Sequence, residues 1–453
     1  MPKKNDLVTV EITDLTNEGF GVGKTDGYVL FVPACAVGDT VEVKVLKALA
    51  SYGYAKVERV LRAAPTRVDP ACPVFGKCGG CLFRHISYEA ELELKKSWVQ
   101  SHFDRIGGFS LPVSAITPSP EIDGYRNKAQ LPAGTDAEGH PTFGFYSTHS
   151  HRLVPCYDCL LTPPFYRTIA ETVAAWARDH AVSVYDESTG KGLIRHLYIR
   201  DARATGEVMV CLVINGKRIP ESAELVRRLL NINKCIKSIQ INHNTRKTNE
   251  ILGNTCTVLW GSETITDRLG SLTFDISPLS FYQVNRAGAE RLYTLAGEFA
   301  DLSGGETVLD LYCGAGTIGL FLSDKIGKLY GAEIVPAAVE NAKENARRNG
   351  VKNAEFFCAD AGKAALELEH RGVRPDVIIV DPPRKGISAD VIDAIDRMSP
   401  ERVVMISCNS ATAARDCALL RERGYKPTRL EALDMFPRTG HVETVVLMSR
   451  DKE

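Results

Sequence analysis

The sequence predicts an α/β protein of three domains, the last of which is a doubly wound parallel sheet. At 453 residues the chain is longer than one hydrophobic core usually supports, so two or three domains are expected. Its start alternates apolar and polar residues in short runs, as small barrels do. From Glu306 onward, apolar runs alternate with segments of helical character, which is typical of a parallel sheet. We therefore place an OB-like β-barrel at residues 1–62, a central α+β domain at 63–270 and a Rossmann-like domain at 271–453.

The composition is that of a soluble globular protein, with 44% apolar and 25% charged residues. No apolar run approaches the length of a membrane span, and no apolar segment of a signal peptide follows the basic start. We expect a cytoplasmic protein with no membrane partner, and nothing in the sequence suggests an obligate protein partner. Because the net charge is −1, nucleic-acid binding would require basic side chains concentrated on one face.

Five short runs predict the strands of the barrel. They are separated by glycine or Gly-Asp turns and read LVTVEI, GFGVGKT, GYVLFVP, DTVEVKVLKA and YGYAKVERVL. Residues 63–86 contain three prolines and three cysteines, which indicates a domain boundary followed by a ligand-bearing loop. Residues 88–106 have helical periodicity, and the runs HPTFGFYS, RHLYIRD and GEVMVCLVING predict strands of the central domain.

Four carboxylates and one thiol stand at the ends of five successive apolar runs in the C-terminal domain. These runs are TVLDLY, KLYGAEI, AEFFCAD, DVIIVDPP and RVVMISC. In an open α/β sheet, ligands bind beyond the carboxyl ends of the strands. Packing alone does not explain acidic groups at these positions, because such groups are seldom buried. The sequence therefore predicts a site formed by Asp310, Glu333, Asp360, Asp381 and Cys408.

The loop at 310–317 connects the first of these strands to a helix, and its glycines allow the backbone to approach a ligand. Glu333 follows about 20 residues later, where a Rossmann-type site binds ribose hydroxyls with an acid. The loop lacks the complete G-x-G-x-x-G pattern and the lysine of a phosphate-binding loop. An adenosine without a diphosphate fits better, and we place Gly314 and Asp360 in the same cofactor site.

Cys408 ends the fifth strand, directly before a segment that is expected to begin a helix. Backbone N–H groups and the dipole at a helix N-terminus stabilise a thiolate, which is what a nucleophile needs. A cysteine is more often a small buried residue, and the position beside the carboxylates favours the functional interpretation. Glu443 precedes the last apolar run and could, by itself, be a solvated charge at a strand end.

The motifs of the chain resemble those of the RNA uracil-5-methyltransferase family, especially its ribosomal RNA branch. They occur in order over nearly the whole chain, which makes the resemblance specific. They comprise a barrel similar to a TRAM domain, YRNK at 125–128, SFYQVN at 280–285, and the segments 310–316, 381–386 and 407–416. Two positions depart from the family pattern: Ser410 replaces a common proline, and asparagine or another polar residue is frequent near Thr317.

The resemblance implies an RNA-binding barrel, a class I methyltransferase domain and roles for individual residues. The residues implied to contact S-adenosylmethionine are Gln283, Tyr312, Glu333 and Asp381. Cys408 would be the nucleophile and Glu443 the base. The chemistry requires both, because carbon 5 of uracil is too weakly nucleophilic to take a methyl group directly. A thiolate that adds to carbon 6 activates carbon 5, and a base then removes the carbon 5 proton.

The segment Asp381-Pro-Pro-Arg384 argues against methylation of an exocyclic amine. Enzymes of that kind have a similar D/N-P-P motif followed by an aromatic residue that stacks on the target base, whereas Arg384 stands here. The prolines alone would equally serve to end a strand and fix a rigid loop.

The thirteen cysteines, an odd number, favour thiol chemistry and metal binding over disulfides. Cys72, Cys78 and Cys81 resemble the trio of a ferredoxin-like cluster, which needs a distant fourth ligand. Cys156 and Cys159 both qualify by position. In the family two apolar residues follow this ligand, so the resemblance favours Cys159 and a [4Fe–4S] cluster. Zinc held by the two C-x2-C pairs stays open, although the stretch between the pairs is longer than in usual zinc ribbons.

The resemblance also bears on the partner. Transfer-RNA enzymes of the bacterial type usually lack both barrel and cluster, so it favours 5-methyluridine in 23S ribosomal RNA over the same product in tRNA. A noncatalytic RNA-binding factor is a further alternative, against which the presence of Cys408 and Glu443 argues. Because methyl transfer needs no electron, we expect the cluster to fold the middle region and shape the RNA surface. Arg126 and Lys128 are candidates for phosphate contacts, or are merely solvated.

Overall fold

The first domain is a closed barrel of five strands. The computed structural model describes residues Met1–Arg450. The barrel strands are β1 (Leu7–Leu15), β2 (Phe20–Thr25), β3 (Tyr28–Pro33), β4 (Thr40–Ala48) and β5 (Tyr52–Arg62). They close in the order β1-β2-β3-β5-β4. Alternate side chains point inward, so that Leu30, Val32 and Val41 are fully buried. The predicted barrel is confirmed.

The outer surface of β2, β3 and β5 carries four aromatic rings, each still partly accessible to solvent. The Phe31 ring centroid lies 5.6 Å from that of Tyr52 and 5.7 Å from that of Tyr54. The Phe20 ring centroid lies 5.8 Å from that of Tyr54. We call these four residues the aromatic face. Its rings contact one another rather than the core, because they stand on the side of the strands that points away from the barrel interior.

The central domain is a seven-stranded mixed sheet covered on both sides. Helix α1 (Tyr88–His102) and β6 (Ile116–Thr117) precede it. Its elements are β7 (Lys128–Thr135), β8 (Pro141–Tyr146), β9 (Leu153–Pro155), α2 (Phe165–Asp179), β10 (Ile194–Asp201), β11 (Val208–Ile214), α3 (Ser222–Ile232), β12 (Ile236–His243) and β13 (Thr255–Gly261). The strand order is β13-β12-β11-β10-β7-β8-β9. Helices α2 and α3 cover one face with Trp176 and Leu229, while Tyr198 and Met209 join the core of the C-terminal domain on the other.

The C-terminal domain is an eight-stranded sheet with helices on both faces. Its elements are β14 (Ile265–Leu269), β15 (Leu272–Ile276), α4 (Arg286–Ala300), β16 (Thr307–Leu311), α5 (Thr317–Phe321), β17 (Lys328–Glu333), α6 (Pro336–Arg348), β18 (Ala354–Cys358), α7 (Ala361–His370), β19 (Val377–Val380), α8 (Ala389–Met398), β20 (Arg402–Ser407), α9 (Ser410–Arg421), β21 (Tyr425–Leu433) and β22 (Glu443–Arg450). The sheet order is β18-β17-β16-β19-β20-β22-β21-β6. The first five strands are parallel, and β22 runs antiparallel to both of its neighbours. The predicted doubly wound α/β domain is confirmed.

The structure does not divide simply at the boundaries predicted after residues 62 and 270. Parts of the predicted central domain pack with the C-terminal domain. Val99 and Phe103, in and just after α1, are fully buried against α9 and its neighbours. Strand β6 pairs in parallel with β21. Residues 88–117 therefore pack against the C-terminal domain, where Val99 is buried and Lys95 pairs with Asp434 at 2.8 Å. The hairpin β14–β15 contains residue 270 and packs in the same core, so the second boundary falls inside one structural unit.

Across residues 1–450, none of the helices combines the length and the apolar character that crossing a bilayer requires. The cytoplasmic location stays a prediction.

Candidate active site

The parallel strands bring the predicted residues to one edge of the C-terminal sheet. Asp310 is the penultimate residue of β16, and Glu333 is the last residue of β17. Asp360 caps the helix that follows β18, while Asp381 and Cys408 directly follow β19 and β20. The charge of Asp381 acts on both Asp310 and Cys408, so the strand ends lie close together. This is the edge at which ligands bind in open α/β sheets.

Asp310 is fully buried beneath the glycine-rich loop. Its Oδ2 accepts a hydrogen bond from the Gly319 N–H at 3.0 Å, whereas its Oδ1 has no partner among the described residues. Burial raises the pKa of Asp310 to about 7, and the charges of Asp381 and Glu333 add to the rise. A buried carboxyl group with an unpaired oxygen is destabilising unless a ligand donates to it or brings positive charge near it. The position therefore suits a cationic or hydrogen-bond-donating ligand.

Glu333 is fixed by two backbone N–H groups beside an apolar surface. Its Oε2 accepts from Gly314 at 3.1 Å and its Oε1 from Val335 at 2.9 Å. Ile334 and Val335 are 65% and 50% exposed. A Cβ atom built on Gly314 would meet nothing within 4 Å, so the loop adjoins open space. A carboxylate with lone pairs to spare next to exposed apolar side chains fits the ribose and base of an adenosine.

Tyr312 and Asp360 lie at the far side of this loop. Asp360 accepts a hydrogen bond from the Lys363 N–H at 3.0 Å and so caps α7. Burial raises the pKa of Tyr312, and the charges of Asp416 and Asp360 add to the rise. Tyr312 has a φ of +64°, a left-handed conformation that costs roughly 1–2 kcal/mol for a residue with a Cβ. Such strain is concentrated at ligand sites, in keeping with the cofactor contact predicted for Tyr312.

The loop that carries Gln283 is clamped by two buried side chains from the central domain. The Arg200 guanidinium donates to two carbonyl groups of this loop, at 2.9 and 3.1 Å. Asn127 donates from Nδ2 to the Gln283 carbonyl at 2.9 Å. The Gln283 side chain contacts the hydroxyl of Tyr293, on which the charge of Asp381 also acts. Neither clamp is apparent in the sequence, although Asn127 belongs to the YRNK motif.

Cys408 is half-buried between β20 and α9. Asn409, the next residue, caps α9. Its Oδ1 accepts hydrogen bonds from two backbone N–H groups of the first turn, at 3.2 and 3.4 Å. Burial raises the pKa of the Cys408 thiol, the charge of Glu443 adds to the rise, and Arg384 opposes it. The Asn409 side chain therefore occupies two of the N–H groups at the helix N-terminus. Stabilisation of the Cys408 thiolate by this helix stays a prediction.

Glu443 begins β22 and is only 6% exposed. Burial raises its pKa to about 8, the charge of Asp381 adds to the rise, and Arg384 opposes it. The Arg384 Nη2 lies 3.2 Å from Nε2 of His441. Burial and the charge of Arg384 lower the pKa of His441, which keeps the ring neutral and able to accept this hydrogen bond. A carboxyl group that titrates near neutral pH can accept and release a proton, as a base must.

Helix α9 also holds the loop that carries Arg384. Asp416, which is fully buried, accepts from the Ile387 N–H at 2.9 Å through Oδ2. The Asn409 Nδ2 donates to the Arg384 carbonyl at 3.2 Å. Asp416 and Asn409 lie in the 407–416 motif, yet the sequence does not indicate that they position this loop.

The cysteines of the predicted cluster region line one cavity of about 280 Å³. They are Cys72, Cys78, Cys81, Cys156 and Cys159. Cys156 is buried and the other four are half-buried. Both candidates for the fourth ligand therefore reach the cavity. Within the described residues, no three cysteine sulfurs lie within 4.8 Å of one another.

Cationic side chains line the same cavity. Arg84, Arg126 and Lys128 all border it. Arg84 donates to Asp123 Oδ1 at 2.6 Å, and its guanidinium lowers the pKa of the Cys81 thiol against the larger effect of burial. Burial lowers the pKa of Lys128 to about 8, and the charges of neighbouring arginines add to the fall. The two residues predicted to contact phosphates thus face thiols, and their contact with RNA stays a prediction.

The sheet order and the nucleoside-type site at its carboxyl edge define a class I S-adenosylmethionine-dependent methyltransferase fold. The sequence profile described as tRNA (Uracil-5-)-methyltransferase matches residues 189–451, and that of the TRAM domain matches residues 3–57. The chain belongs to the tRNA (uracil-5-)-methyltransferase family, which confirms the resemblance seen in the motifs.

Similar proteins match over almost the whole chain. An uncharacterized RNA methyltransferase of Halalkalibacterium halodurans is 43% identical, with 98% of this chain and 97% of the relative covered. One from Clostridium tetani is 40% identical, with 99% and 97% covered. The crystal structure of the Pyrococcus abyssi tRNA (uracil-54, C5)-methyltransferase with S-adenosyl-L-homocysteine is 29% identical, with a TM-score of 0.79 and 97% and 99% covered.

Proposed function

We propose that the protein transfers a methyl group from S-adenosylmethionine to carbon 5 of a uridine in 23S ribosomal RNA. The observation that carries the proposal is that a thiol, Cys408, and a buried carboxyl group, Glu443, adjoin the paired residues Ser407 and Thr444 at one end of β20 and β22. The Arg384 guanidinium acts on both. A nucleophile and a base that share one site are what methylation of a uracil ring requires.

The reaction proceeds through a covalent adduct with the RNA. The Cys408 thiolate adds to carbon 6, and the electron pair of the C5–C6 double bond moves towards oxygen 4. S-adenosylmethionine supplies the electrophilic methyl group when bound. Carbon 5 forms the new bond to that methyl group as the bond from the methyl group to the sulfonium sulfur breaks, so that S-adenosylhomocysteine is the leaving group. Glu443 then removes the proton from carbon 5. The C6–S bond breaks as the double bond returns, which regenerates the thiolate.

Arg384 assists the first step. Burial keeps the Cys408 thiol largely protonated at neutral pH, and only the thiolate is nucleophilic. The guanidinium opposes this effect through its charge and a hydrogen bond to the sulfur. His441 holds the guanidinium in place by accepting a hydrogen bond from it. Arg384 therefore increases the thiolate fraction without being consumed.

The proposed cofactor site uses the carboxyl edge of the sheet. Glu333 would bind the ribose hydroxyls, and the exposed Ile334 and Val335 would cover the adenine ring. Asp310 and Asp381 have pKa values raised to about 7, so a positive charge nearby would favour their ionised forms. A sulfonium ion brings such a charge. Gln283, Tyr312, Gly314 and Asp360 complete the proposed set of cofactor contacts.

The proposed [4Fe–4S] cluster would be held by Cys72, Cys78, Cys81 and Cys159. The cationic lining supports it, because a cluster bound by four thiolates carries net negative charge. Cys156 would then line the cavity without binding iron. Zinc bound by Cys78, Cys81, Cys156 and Cys159 is the alternative, and metal analysis distinguishes the two.

The RNA would contact two exposed aromatic features. Phe281, in the loop that carries Gln283, is 74% exposed, and an exposed ring beside the reaction site can stack on an unpaired base. The aromatic face of the barrel offers four more rings. Its strands also place the exposed Lys24 opposite Val29 and the exposed Lys47 opposite Tyr54, so positive charge flanks the rings. Rings flanked by lysines suit a single-stranded RNA segment.

Transfer RNA is the second candidate substrate. The specific observation in its favour is the match over 97% of the chain to the Pyrococcus abyssi enzyme, whose name specifies uracil 54 of tRNA. That match includes the barrel, so a barrel alone does not distinguish the two RNAs. Catalysis by Cys408 and Glu443 would be the same on either.

A trapping experiment tests the proposal. RNA that contains 5-fluorouridine should form an adduct that survives denaturing electrophoresis, because a base cannot remove fluorine from carbon 5. A 23S rRNA transcript and a tRNA transcript are compared with S-adenosylmethionine present. Cys408→Ser should form none, and Cys235→Ser, at an exposed position of the central domain, should behave as wild type. Absence of an adduct with both RNAs would favour a noncatalytic RNA-binding factor, and an adduct with tRNA alone would overturn the ribosomal target.

A further inference from the structure

The segment between β21 and β22, residues 434–442, connects the cysteine cavity to the active site. We call it the catalytic segment, because it carries His441 and leads directly into Glu443. The loop that begins at Cys81, which we call the cysteine loop, lies against the middle of the catalytic segment. The Arg438 carbonyl accepts from the Leu82 N–H at 2.7 Å and from the Phe83 N–H at 3.3 Å. Leu82, which follows Cys81 of the cavity, is thus hydrogen-bonded to the segment that carries His441.

Arg438 is held in an unusual conformation by this loop and by α1. Its φ is +69°, in the left-handed region that residues with a Cβ seldom adopt. Its Nη1 donates to the Ile86 carbonyl at 3.1 Å, and its N–H donates to Glu91 Oε1 at 2.6 Å. Glu91 is in turn paired with the fully buried Lys95 at 2.7 Å. Strained backbone persists only where its surroundings fix it, so these contacts fix Arg438.

A short path of contacts leads from Arg438 to the thiol. The Thr439 hydroxyl donates to the Phe436 carbonyl at 2.7 Å, and the Phe436 ring packs edge-on against His441 with centroids 6.0 Å apart. His441 accepts the hydrogen bond from Arg384, which in turn lies against the Cys408 sulfur. The path thus consists of the peptide bond from Arg438 to Thr439, two hydrogen bonds, one ring contact and the electrostatic interaction of Arg384 with the thiol.

The catalytic segment also lies against the barrel at Gly440. A Cβ atom built on Gly440 would collide with the carbonyl group of Asn17, in the first turn of the barrel, and would crowd the Leu82 side chain. The barrel and the cysteine loop therefore meet on the same residue of the catalytic segment, which restricts its movement from two sides.

We infer that Arg438 is a positioning residue through which the cysteine loop holds His441 and Arg384 against the Cys408 thiol. The inference rests on the proposed function and deepens it, because it gives the cysteine loop a part in activating the nucleophile. A group bound by Cys81 would fix Leu82 and Phe83, and these would fix the Arg438 carbonyl. Without that support, the Arg384 guanidinium would no longer be held beside the sulfur.

The groups that face Cys408 make the consequence measurable. Glu443 and Asp381 raise the pKa of its thiol in addition to burial, and Arg384 lowers it. The neutral His441 acts through Arg384. Partial loss of a neighbouring cation should therefore shift the pH dependence of thiol reactivity upward, by about 0.5 to 1 pH unit. A role confined to overall stability would not move this profile.

The test measures alkylation of Cys408 by iodoacetamide between pH 6 and 10, followed by mass spectrometry of the peptide that contains it. It uses the full-length protein without RNA, so its result does not depend on the identity of the substrate. Arg438→Gly removes the side chain but tolerates the left-handed backbone, and Arg438→Ala is the parallel variant. Both are expected to shift the profile upward, with an unchanged Kd for S-adenosylmethionine. Arg421→Ala, which loses a contact at the Gly108 carbonyl, is the control and should match wild type.

A second variant tests the link to the cavity. Cys81→Ser is expected to produce the same upward shift as Arg438→Gly, although it lies on a different loop. Near-ultraviolet circular dichroism establishes that each variant is folded before its profile is interpreted. A wild-type profile for folded Arg438→Gly, or for folded Cys81→Ser, would overturn the inference. A shift without any 5-fluorouridine adduct would support the positioning role and overturn the proposed reaction instead.

Discussion

The two proposed ligand sites of the molecule differ in the kind of charge that burial disfavours, which is negative at the sheet edge and positive in the cysteine cavity. At the carboxyl edge of the C-terminal sheet, burial raises the pKa values of three acids, which are Asp310, Asp381 and Glu443. In the cysteine cavity, burial lowers the pKa of Lys128 to about 8, and two arginines border the same space. In each site, buried ionisable groups lack enough opposite charge to offset the cost of burial. The first suits a cationic ligand and the second an anionic one, as proposed for the sulfonium and the cluster.

The two sites also differ in how they are built. The acids of the edge are placed by parallel strands, so their positions follow from regular hydrogen bonding within the sheet. The cysteines of the cavity lie on irregular loops, and no three sulfurs among the described residues have the spacing of a site for a single ion. A site on regular elements is formed before its ligand arrives, whereas a site on loops depends more on the ligand. Four predictions test this contrast.

The largest effect is expected for Glu443→Gln, which leaves the edge with a nucleophile but no base. Turnover should fall by about 10²- to 10⁴-fold, as for loss of a general base. The methylated adduct should accumulate on ordinary RNA, because the carbon 5 proton stays in place. Single-turnover assays with tritium at carbon 5 and denaturing gels measure both quantities. Glu431→Gln, on the neighbouring strand β21, is the control. Rapid tritium release by Glu443→Gln would exclude Glu443 as the base.

Replacing the two candidate ligands in turn should distinguish the cysteines of the cavity. Cys159→Ser is expected to lose the broad visible absorbance of anaerobically purified protein, and Cys156→Ser to keep it. The physical reason is that a cluster needs four thiolates, while the fifth thiol only packs against them. Iron and zinc analysis accompanies the spectra. Retained absorbance in Cys159→Ser together with loss in Cys156→Ser would reverse the assignment, and colourless protein with stoichiometric zinc would replace iron by zinc.

The burial of acidic groups at the edge should appear as pH-dependent stability. The folded pKa of Asp310 is about 7, above its ordinary value of 3.8. Such a group favours the folded state below pH 4, and this contribution is lost as the pH rises through 7. Asp310→Asn has no charge to bury, so its Tm relative to wild type should rise between pH 5 and pH 8.5. Thermal unfolding without ligand measures this difference. A difference in Tm that is independent of pH would show that Asp310 does not carry buried charge.

The smallest effect is expected for a substitution in the aromatic face of the barrel, which contains no buried acidic or basic group. Tyr54→Ala should weaken RNA binding about fivefold or more, because one stacked base contributes about 1–3 kcal/mol. Filter binding at two salt concentrations measures affinity and its salt dependence, and the slope with salt should stay unchanged. Leu46→Ala, an exposed position on the neighbouring strand β4, serves as the control. Equal affinities for Tyr54→Ala and wild type would remove the aromatic face from the RNA path.

The sequence predicts the edge of the C-terminal sheet well because two local rules are sufficient there. Apolar runs mark the strands, and ligands bind past their carboxyl ends. The same pattern does not resolve the central domain, because every residue of β10 and β11 is buried and the alternation disappears. The packing of α1 on the C-terminal domain is equally difficult to predict, because its buried side includes Glu91 and Lys95, and Asp434, which pairs with Lys95, is distant in the chain.

The supporting residues could not be predicted because their roles depend on contacts distant in the chain. Arg200 reaches a loop 80 residues away, and Arg438 holds a loop more than 350 residues before it. The behaviour of Cys408 depended on a neighbour as well. The sequence places this thiol before a helix N-terminus, and the structure adds that the Asn409 side chain accepts hydrogen bonds from two N–H groups there. Local pattern therefore predicts candidate reactive groups, whereas the contacts that surround them come from distant parts of the chain.

The bare backbone at Gly440 has a consequence for how this architecture can be altered. The first turn of the barrel and the cysteine loop both pack closely against Gly440. The barrel and the methyltransferase domain therefore meet at a position where no side chain fits. A chimera that takes its barrel from a relative must therefore match the main-chain path around Asn17. A different main-chain path around Asn17 would displace the catalytic segment and reduce methyl transfer, even if the barrel of the relative binds RNA tightly.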